Sequence, residues 1–363
     1  MSKRWAGFGV AVAGALVVAC GSSPSGPDAP KPPRVYAYQT IHFGPTIVET
    51  TSDLVVMNGT EEIGRAQLGL GTDPAFTTDG RYAFSLAGDG AVKAVAVATG
   101  KVTSVPCDGC FDRYLECQCQ TVVPFGASTI AWLDRANRLV RTDLAAGSPA
   151  PEPTGTTAPA WRDDLDRQYA PQLLAGTADT VLVGYSYSMS STPRPLYLAG
   201  PAGTPRLLTT GRPGPLEAAQ FSPDGAELAL WDAPEVNECA TVTLFDLAAG
   251  TAETTPVAAA TARCGTRDGF VGDLWWDHDG TLNVYFQPDG SESLVGATQR
   301  SFTDGAWAAA DVDRATQLHR LAEDTTAVLS NPHVRDKDVL YLETAGKRTT
   351  VEREVSRVVA PPR

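Results

Sequence analysis

The chain has 363 residues, of which 43% are hydrophobic, 8% aromatic and 20% charged. This composition excludes collagen-like, low-complexity and integral membrane proteins, and it predicts a globular fold. With 29 Lys and Arg against 42 Asp and Glu, the formal net charge is −13, and no basic run stands out. Because a phosphate backbone would be repelled, no nucleic-acid partner is expected.

The first 19 residues have the pattern of an export signal. Lys3 and Arg4 precede an uninterrupted run of apolar and small residues that ends at Ala19. The run is too short for a transmembrane helix, and its Val-Val-Ala-Cys ending at Cys20 resembles the lipobox of bacterial lipoprotein signal peptides. The resemblance implies cleavage before Cys20 and a diacylglycerol and palmitate anchor on that cysteine. The alternative is an ordinary signal peptide with a chance cysteine.

The segment after this cysteine is small, polar and proline-rich, which is typical of a flexible spacer. Loss of Lys3 and Arg4 would make the mature chain still more acidic, so attachment to the extracytoplasmic membrane face would depend on the acyl chains. The sequence therefore predicts three parts: a signal peptide at residues 1–19, a lipidated tether at 20–33, and a folded domain at 34–363.

Six further cysteines are an even number in a chain predicted to be exported. Four lie close together with C-x2-C and C-x-C spacing, and two stand apart. The cluster could present four thiolates to zinc, but an oxidising compartment and the even count favour disulfides. Because neighbours in C-x-C bond poorly, pairing is expected across the cluster. The six are Cys107, Cys110, Cys117, Cys119, Cys239 and Cys264.

A repeated strand pattern predicts the fold. Residues 221–250 contain an aromatic residue, a Pro-Asp-Gly turn, an alternating apolar strand, a second strand and a Leu-Ala-Ala-Gly turn. The Asp-Gly pair supplies the positive φ of a tight hairpin, and a period of two is typical of half-buried strands. Seven such candidates, about 40 to 55 residues apart, predict four-stranded propeller blades. The other six begin near residues 53, 76, 125, 180, 276 and 339.

The Phe-Ser-Pro-Asp-Gly sequence at 221–225 resembles the repeat of TolB-like and WD40-like β-propellers. The copies after Phe76 and Phe125 are degraded, since Thr-Thr replaces Ser-Pro in the first and Gly-Ala replaces Pro-Asp-Gly in the second. The resemblance implies an all-β propeller of four-stranded antiparallel blades over most of residues 34–361. Six or seven blades fit the spacing. We expect seven, with a strand near residues 35–40 pairing with the last blade, because closure removes exposed sheet edges.

No catalytic constellation is recognisable in the sequence. The histidines, His42, His278, His319 and His333, lack the spacing of a metal-binding pair, and no glycine-rich phosphate loop is present. The Asp-x-Asp pairs at 277–279 and 311–313 lack the calcium-loop pattern and indicate turns. We therefore predict no catalytic residue, metal site or cofactor.

Two segments carry residue types that are typical of contact surfaces. Residues 151–169 are too long for a blade turn, and residues 185–195 form a second aromatic loop. Solvated loop tips are the alternative. Trp275 and Trp276, on a predicted inner strand, are expected to pack in the core. The candidate binding residues are Trp161, Arg162, Asp163, Asp164, Tyr169, Tyr185, Tyr187 and Arg194.

Three functions fit these patterns. The leading hypothesis is a lipid-anchored, extracytoplasmic propeller that binds a protein or glycan partner in the bacterial cell envelope. The alternative is an envelope enzyme of the lyase or glycoside hydrolase type that uses carboxylates at the propeller channel. A quinoprotein-type propeller ranks last, because no tryptophan follows the Ala-Thr-Gly-Lys sequence at 98–101.

Overall fold

β-Strands make up the regular structure of the described residues in the computed structural model. All of these residues fall within the unit Pro33–Arg363. Within them, no apolar helix of membrane-spanning length occurs. The predicted signal peptide, the predicted tether and Cys20 lie outside the described part of the chain. The structure describes residues 34–42, 50–69, 71–110, 122–185, 193–210, 216–232, 240–257, 270–277, 279–287, 298–309, 315–330 and 338–362.

Seven four-stranded antiparallel sheets form the blades, which confirms the predicted fold and the blade number. Strands are given from the channel outward. Blade one contains β30 (Val355–Val359), β1 (Val35–His42), β2 (Thr51–Asn58) and β3 (Glu61–Gln67). Blade two contains β4 (Ala75–Phe76), β5 (Tyr82–Leu86), β6 (Ala91–Ala96) and β7 (Val102–Pro106). Blade three contains β8 (Val123–Pro124), β9 (Thr129–Leu133), β10 (Arg138–Asp143) and β11 (Glu152–Thr157).

The remaining four blades follow in chain order. Blade four contains β14 (Pro171–Gly176), β15 (Val181–Tyr185), β16 (Pro195–Ala199) and β17 (Arg206–Thr210). Blade five contains β18 (Leu216–Phe221), β19 (Glu227–Asp232), β20 (Thr241–Asp246) and β21 (Thr251–Pro256). Blade six contains β22 (Phe270–Trp276), β23 (Leu282–Gln287), β24 (Thr298–Thr303) and β25 (Ala306–Ala309). Blade seven contains β26 (Ala315–Ala322), β27 (Thr325–Ser330), β28 (Val339–Thr344) and β29 (Lys347–Arg353).

One hairpin lies outside the blades. Strands β12 (Trp161–Arg162) and β13 (Gln168–Tyr169) pair only with each other, between blades three and four. The sequence predicted an insertion over residues 151–169, and this boundary is corrected, because Glu152–Thr157 is the outer strand of blade three. The inserted part therefore begins after β11.

The ring is closed by strands from the two ends of the domain. β30 pairs antiparallel with β1, so that Tyr38 faces Val358 and Gln39 faces Arg357 in the register. The expected pairing near residues 35–40 is therefore present. Blade one takes its three outer strands from the N-terminal side and its inner strand from the C-terminal side. This closure pairs the inner edge of β1 and gives blade one four strands, like the other blades.

The apolar core lies between neighbouring blades. In β19, Leu228 and Leu230 pack against blade four, whereas Ala229 and Trp231 pack against blade six. Six of the seven interfaces contain an apolar cluster of this kind. Among the described residues, the interface between blades six and seven has none. The side of blade six away from blade five instead carries Asn283, whose Oδ1 accepts hydrogen bonds from neighbouring polar side chains.

The turns after the inner strands explain the Asp-Gly repeat. In blade five, the Ser222 hydroxyl donates to Asp224 at 2.6 Å, and Gly225 closes the turn with a φ of 71°. In blade two, the Thr77 hydroxyl donates to Asp79 at 2.7 Å in the same way. These carboxylates cap the turns, so the acidic residue in each repeat has a structural role.

Cys107 and Cys110 form a disulfide whose Cα atoms are 5.6 Å apart. The expected pairing across the cysteine cluster is corrected here, because a turn places these two residues at a separation that suits a disulfide. Both cysteines are buried in the apolar cluster between blades two and three. Cys117, Cys119, Cys239 and Cys264 lie outside the described residues.

Candidate functional site

The central channel contains a cavity of about 540 Å³ near the carboxyl ends of the inner strands. Trp275 and Trp276 of β22, which were expected to be core residues, both line it. Trp276 also packs against the cluster between blades five and six, and its indole N–H donates to the Gln220 carbonyl at 3.2 Å. Trp276 is therefore in part a core residue, as predicted, and in part a lining residue of the cavity. Other lining residues are Phe76, Thr78, Asp179, Phe221, His319 and Pro361.

Hydrogen bonds between successive turns stiffen the wall of the cavity. The Thr78 hydroxyl donates to the Gly126 carbonyl at 2.6 Å, and the Asp79 N–H donates to the Ala127 carbonyl at 3.1 Å. The Gly126 N–H in turn donates to the Thr177 carbonyl at 3.3 Å. These bonds join blades two, three and four, so this side of the cavity is built largely of satisfied backbone groups.

Arg357, on the closing strand β30, bridges two carboxylates across the channel. Its guanidinium donates to Asp73, which precedes β4, and to Asp273 on β22. Asp273 also accepts hydrogen bonds from the Gln317 side chain and from the Leu274 N–H. A single network therefore joins the inner strands of blades six, seven and one, and it extends to blade two.

The charges in this network depend on one another. Burial acts to lower the pKa of Arg357, but the carboxylates of Asp273 and Asp73 outweigh burial and hold this pKa above its usual value. Burial raises the pKa of Asp273, and the Arg357 guanidinium opposes that rise. Because both carboxylates are bound to a guanidinium, this arrangement disfavours their use as the acid and base of a hydrolase.

His319, on β26, lies beside this network and lines the cavity with only 4% of its surface exposed. Its ring centroid is 5.3 Å from that of Trp275, and its Nδ1 is 3.7 Å from Oδ1 of Asp277. Burial and the positive charge of Arg357 lower the pKa of His319 to about 3, while a hydrogen bond with the Val358 backbone acts in the opposite direction. The imidazole is therefore neutral near pH 7.

The neighbouring carboxyl group of Asp277 is shifted in the opposite direction. Burial, followed by the charge of Asp279, raises the pKa of Asp277 to about 7, although Asn283, Arg320 and Trp275 favour the ionised form. No sequence pattern indicates this shift, because Asp277 occupies an ordinary Asp-x-Asp-Gly turn. It arises from packing against strands that are distant in sequence.

We expect Asp277→Asn to stabilise the protein at pH 8 by about 1 to 2 kcal/mol, with little effect at pH 4. An aspartate whose folded-state pKa lies above its unfolded value makes folding less favourable as the pH rises from about 4 to 7. The rise of about three in the pKa of Asp277 limits the gain in the free energy of unfolding to about 4 kcal/mol. The weaker hydrogen bonds of the asparagine side chain reduce this gain. Urea unfolding at both pH values measures the effect. The control is Asp246→Asn, at an exposed turn, and equal pH slopes for the parent chain and Asp277→Asn would contradict the expectation.

The inserted hairpin and the cavity lie at opposite ends of blade four. In the pairing of β14 with β15, Pro171 faces Tyr185 at the hairpin end, whereas Gly176 faces Val181 at the cavity end. The two features are therefore separated by the length of these strands. A ligand in the cavity and a partner on the hairpin would occupy different surfaces.

Three of the predicted binding residues form an aromatic cluster at the hairpin. The Trp161 ring lies 5.1 Å from the Tyr169 ring and 5.5 Å from the Tyr185 ring, measured between centroids. Trp161 and Tyr169 are half-buried, whereas Tyr185 is buried and donates its hydroxyl to the Pro159 carbonyl at 2.7 Å. The cluster thus fixes the hairpin to blade four while leaving part of two rings accessible.

Asp163 shapes the hairpin turn. Its carboxylate accepts hydrogen bonds of 2.9 Å from the Leu165 N–H, the Arg167 N–H and the Tyr169 hydroxyl. Burial acts to raise the pKa of Asp163, but these hydrogen bonds outweigh burial and lower it. The turn places Leu165 at the hairpin tip with 65% of its surface exposed. Sequence reasoning missed this leucine, because a single apolar residue among acidic ones has no distinctive pattern.

The other predicted binding residues differ in accessibility. Arg162 is exposed and forms an ion pair of 2.9 Å with Asp166, and Asp164 is also exposed. Arg194 is buried and donates to the Tyr185 carbonyl at 3.4 Å, so it supports the aromatic cluster from behind. Tyr187 lies outside the described residues. The accessible surface of the hairpin therefore consists of Trp161, Arg162, Asp164, Leu165, Asp166, Arg167, Gln168 and Tyr169.

No protein-family model and no curated protein matches this sequence. Among solved structures, the β-propeller domain of the Trilobed protease from Pyrococcus furiosus aligns with a TM-score of 0.53 at 11% identity. The alignment covers 88% of this chain and 95% of that chain. This chain has a β-propeller fold. The β-propeller domain of Cps50 (Swd1) from Myceliophteria thermophila also aligns, with a TM-score of 0.48 at 11% identity over 85% of this chain and 97% of that chain. At these identities the likeness concerns the fold alone.

Proposed function

We propose that this chain is a lipid-anchored binding module of the bacterial cell envelope, in which the propeller presents its inserted hairpin to a partner protein. The lipobox-like sequence ending at Cys20 supports the anchor, and the proline-rich tether would hold the domain away from the membrane. The Phe-Ser-Pro-Asp-Gly repeat supports kinship with TolB-like propellers. A glycan is the alternative partner.

The observation that carries this proposal is the aromatic cluster with an exposed leucine at its tip. The hairpin belongs to none of the seven blades. Exposed Leu165 and the accessible parts of Trp161 and Tyr169 are apolar surface that folding leaves in contact with water. Rigid aromatic side chains bind partners at a low entropic cost, and they are common at the centres of protein interfaces. The exposed leucine favours a protein over a glycan.

The channel supports the enzyme alternative less well. Asp73 and Asp273, which approach each other across the channel, are both bound to Arg357. A glycoside hydrolase needs one carboxyl group that donates a proton and a second that acts as nucleophile or base. Because the Arg357 guanidinium occupies both carboxylates, neither is placed to take one of these two roles.

The test is capture of partners from envelope membranes with the full-length chain after crosslinking. The variant combines Trp161→Ala with Leu165→Asp, and the matched control is Leu207→Asp, at a leucine that is 50% exposed on β17. We expect recovery of the partner protein to fall about tenfold or more with the hairpin variant and to stay unchanged with the control. Equal losses in both variants, or no partner enriched by the parent chain, would overturn the proposal. Recovery of only glycan would favour the alternative.

Anchoring is tested in the same cells. Replacement of Cys20 by Ser removes the thiol that would be acylated, so the chain should leave the membrane fraction and lose palmitate labelling. Unchanged labelling would show that the anchor is elsewhere. Partner capture by Cys20→Ser in detergent should equal that of the parent chain, because the hairpin is intact.

A further inference from the structure

The chain enters the propeller on the same face as the channel cavity. The Arg34 N–H donates to Oδ1 of Asn58 at 2.9 Å, and the Arg34 carbonyl accepts from the Gly59 N–H at 3.0 Å. The Arg34 guanidinium donates to the Asp324 carboxylate at 2.8 Å, in the turn that follows the inner strand of blade seven. Because the cavity lies near the carboxyl ends of the inner strands, these bonds fix Arg34 on that face, which is named the cavity face.

The register of the closing strand gives the same direction. Ala37 pairs with Val359, which lines the cavity, so β1 begins at the cavity face and runs away from it. At about 3.4 Å per residue, β1 spans about 25 Å. The inserted hairpin lies at the other end of blade four, on what is named the hairpin face. Arg34 and the hairpin are therefore on opposite faces of the ring.

The length of the tether limits how the domain can face the bilayer. Residues 20–33 join Arg34 to the lipidation site at Cys20 of the proposed function. A chain of this length has a root-mean-square end-to-end distance of about 20 Å as a coil, and a length of about 40 Å as extended polyproline II. With the cavity face toward the bilayer, either length suffices. With the hairpin face toward the bilayer, the tether would have to pass the full height of blade one. Only nearly extended chains would reach, and this restriction costs conformational entropy.

The hairpin is also poorly suited to bind a lipid surface. Residues 161–169 carry three aspartates and two arginines. Arg162 pairs with Asp166 and Arg167 pairs with Asp163, each at 2.9 Å, so both guanidinium groups are already bound to carboxylates. Anionic headgroups attract clusters of basic residues, whereas this hairpin has a net negative charge. Its apolar tip therefore suits a protein surface in water better than a bilayer.

We infer that the anchored propeller turns its cavity face toward the bilayer and its hairpin away from it. The partner of the hairpin is then a protein of the aqueous part of the envelope that is not embedded in the same bilayer. This inference rests on the lipid anchor and the hairpin of the proposed function, and it names the class of partner. It requires no contact between the propeller and lipid.

Resonance energy transfer measures the orientation. The full-length acylated chain is inserted into preformed phosphatidylcholine vesicles that contain a lipid with a rhodamine-labelled headgroup. The donor dye is attached to p-azidophenylalanine, which replaces either Leu165 at the hairpin tip or Ala202 in an exposed turn of blade four on the cavity face. Both positions lie beside blade four, so a sideways tilt of the domain moves them together. We expect the donor at residue 202 to lie about 20 Å nearer to the acceptor plane. A donor at residue 165 that is equally near or nearer would overturn the inference.

Two variants separate the orientation from the anchor. Insertion of about 30 Gly and Ser residues after Pro33 lengthens the tether, so the difference between the two donor positions should fall by about half or more. An undiminished difference would show that the tether does not set the orientation. Cys20→Ser should give no transfer from either position. Absence of transfer in the parent chain as well would contradict the anchor, whereas stronger transfer from residue 165 would contradict the orientation alone.

The class of partner has a test of its own. A protein whose capture is lost in the variant that combines Trp161→Ala with Leu165→Asp should be released from membranes by alkaline carbonate when no crosslinker is added. A captured protein that stays in the washed bilayer would overturn the predicted class. Capture of no protein would instead contradict the proposed function, and it would leave the energy-transfer result unchanged.

Discussion

Deletion of residues 355–363 is expected to abolish cooperative unfolding and to leave an aggregating chain. β30 is the inner strand of blade one, and it contributes Val355 and Val358 to the apolar cluster between blades seven and one. Both valines are at most 2% exposed. Loss of their burial, of the hydrogen-bonded ladder with β1 and of the Arg357 network should lower the free energy of unfolding by about 5 to 10 kcal/mol. This is comparable to the whole stability of a typical domain. It also exposes the inner edge of β1 to pairing with other chains.

Differential scanning calorimetry and size-exclusion chromatography measure this effect. The matched control deletes only residues 361–363, which leaves β30 complete. Pro361 contacts the turn at Gly80, where an added Cβ would lie 2.9 Å from the proline Cβ. The control should therefore lose no more than about 1 kcal/mol of stability and elute like the parent chain. A chain ending at residue 354 that melts like the parent would show that the closing strand is dispensable.

Arg357→Met is expected to destabilise the protein by about 3 to 5 kcal/mol, because the variant leaves Asp273 buried without its counter-ion. Asp273 is 8% exposed, and its remaining donors are the Gln317 amide and the Leu274 N–H. Since burial already raises the pKa of Asp273, loss of the guanidinium should favour its protonated form. Stability of the variant should therefore fall as the pH rises, because ionisation of the unpaired acid opposes folding. Urea unfolding at pH 5 and pH 8 checks both statements.

A second substitution separates charge from packing. Addition of Asp273→Asn to Arg357→Met removes the unpaired charge of Asp273. The double variant should recover about half of the stability that Arg357→Met loses, and a double-mutant cycle measures this recovery directly. The matched surface control is Arg348→Met, at an arginine that pairs with Glu343 at 2.9 Å on the outer strands of blade seven. This pair is partly exposed, so we expect a loss of less than about 1 kcal/mol. Equal effects at Arg348 and Arg357 would contradict a special role for the channel network.

The repeats were predictable because their physical causes are local. An Asp-Gly turn, a period-two strand and a closing Ala-Gly turn lie within about 30 residues in the segment that begins at Phe221, and degraded copies follow Phe76 and Phe125. The spacing allowed six or seven blades, and the expectation of seven with a closed ring came from the need to pair sheet edges. The position of Trp275 on an inner strand was also predictable, because two adjacent tryptophans precede a turn.

The channel network and the shape of the hairpin were not predictable from the sequence. Arg357 and Asp73 are 284 residues apart, and the Val-Ser-Arg-Val-Val sequence of β30 has the pattern of an ordinary strand. The start of the insertion was misplaced because Glu152–Thr157 contains Pro and Gly, which weaken its strand pattern, although it completes blade three. Both features depend on contacts that exist only once the ring is assembled.

The closing strand also determines when the fold can be completed. Ser356 bonds to Gln39, which lies 317 positions earlier in the chain, and closure of so long a loop costs about 5 kcal/mol of chain entropy. At about 5 to 20 residues per second, ribosomes need roughly 16 to 65 seconds to make the chain between these two strands. Throughout that interval the inner edge of β1 has no partner from its own chain. A propeller that closes only with its last strand stays open during synthesis, and an open chain is the form that the proposed export across a membrane requires.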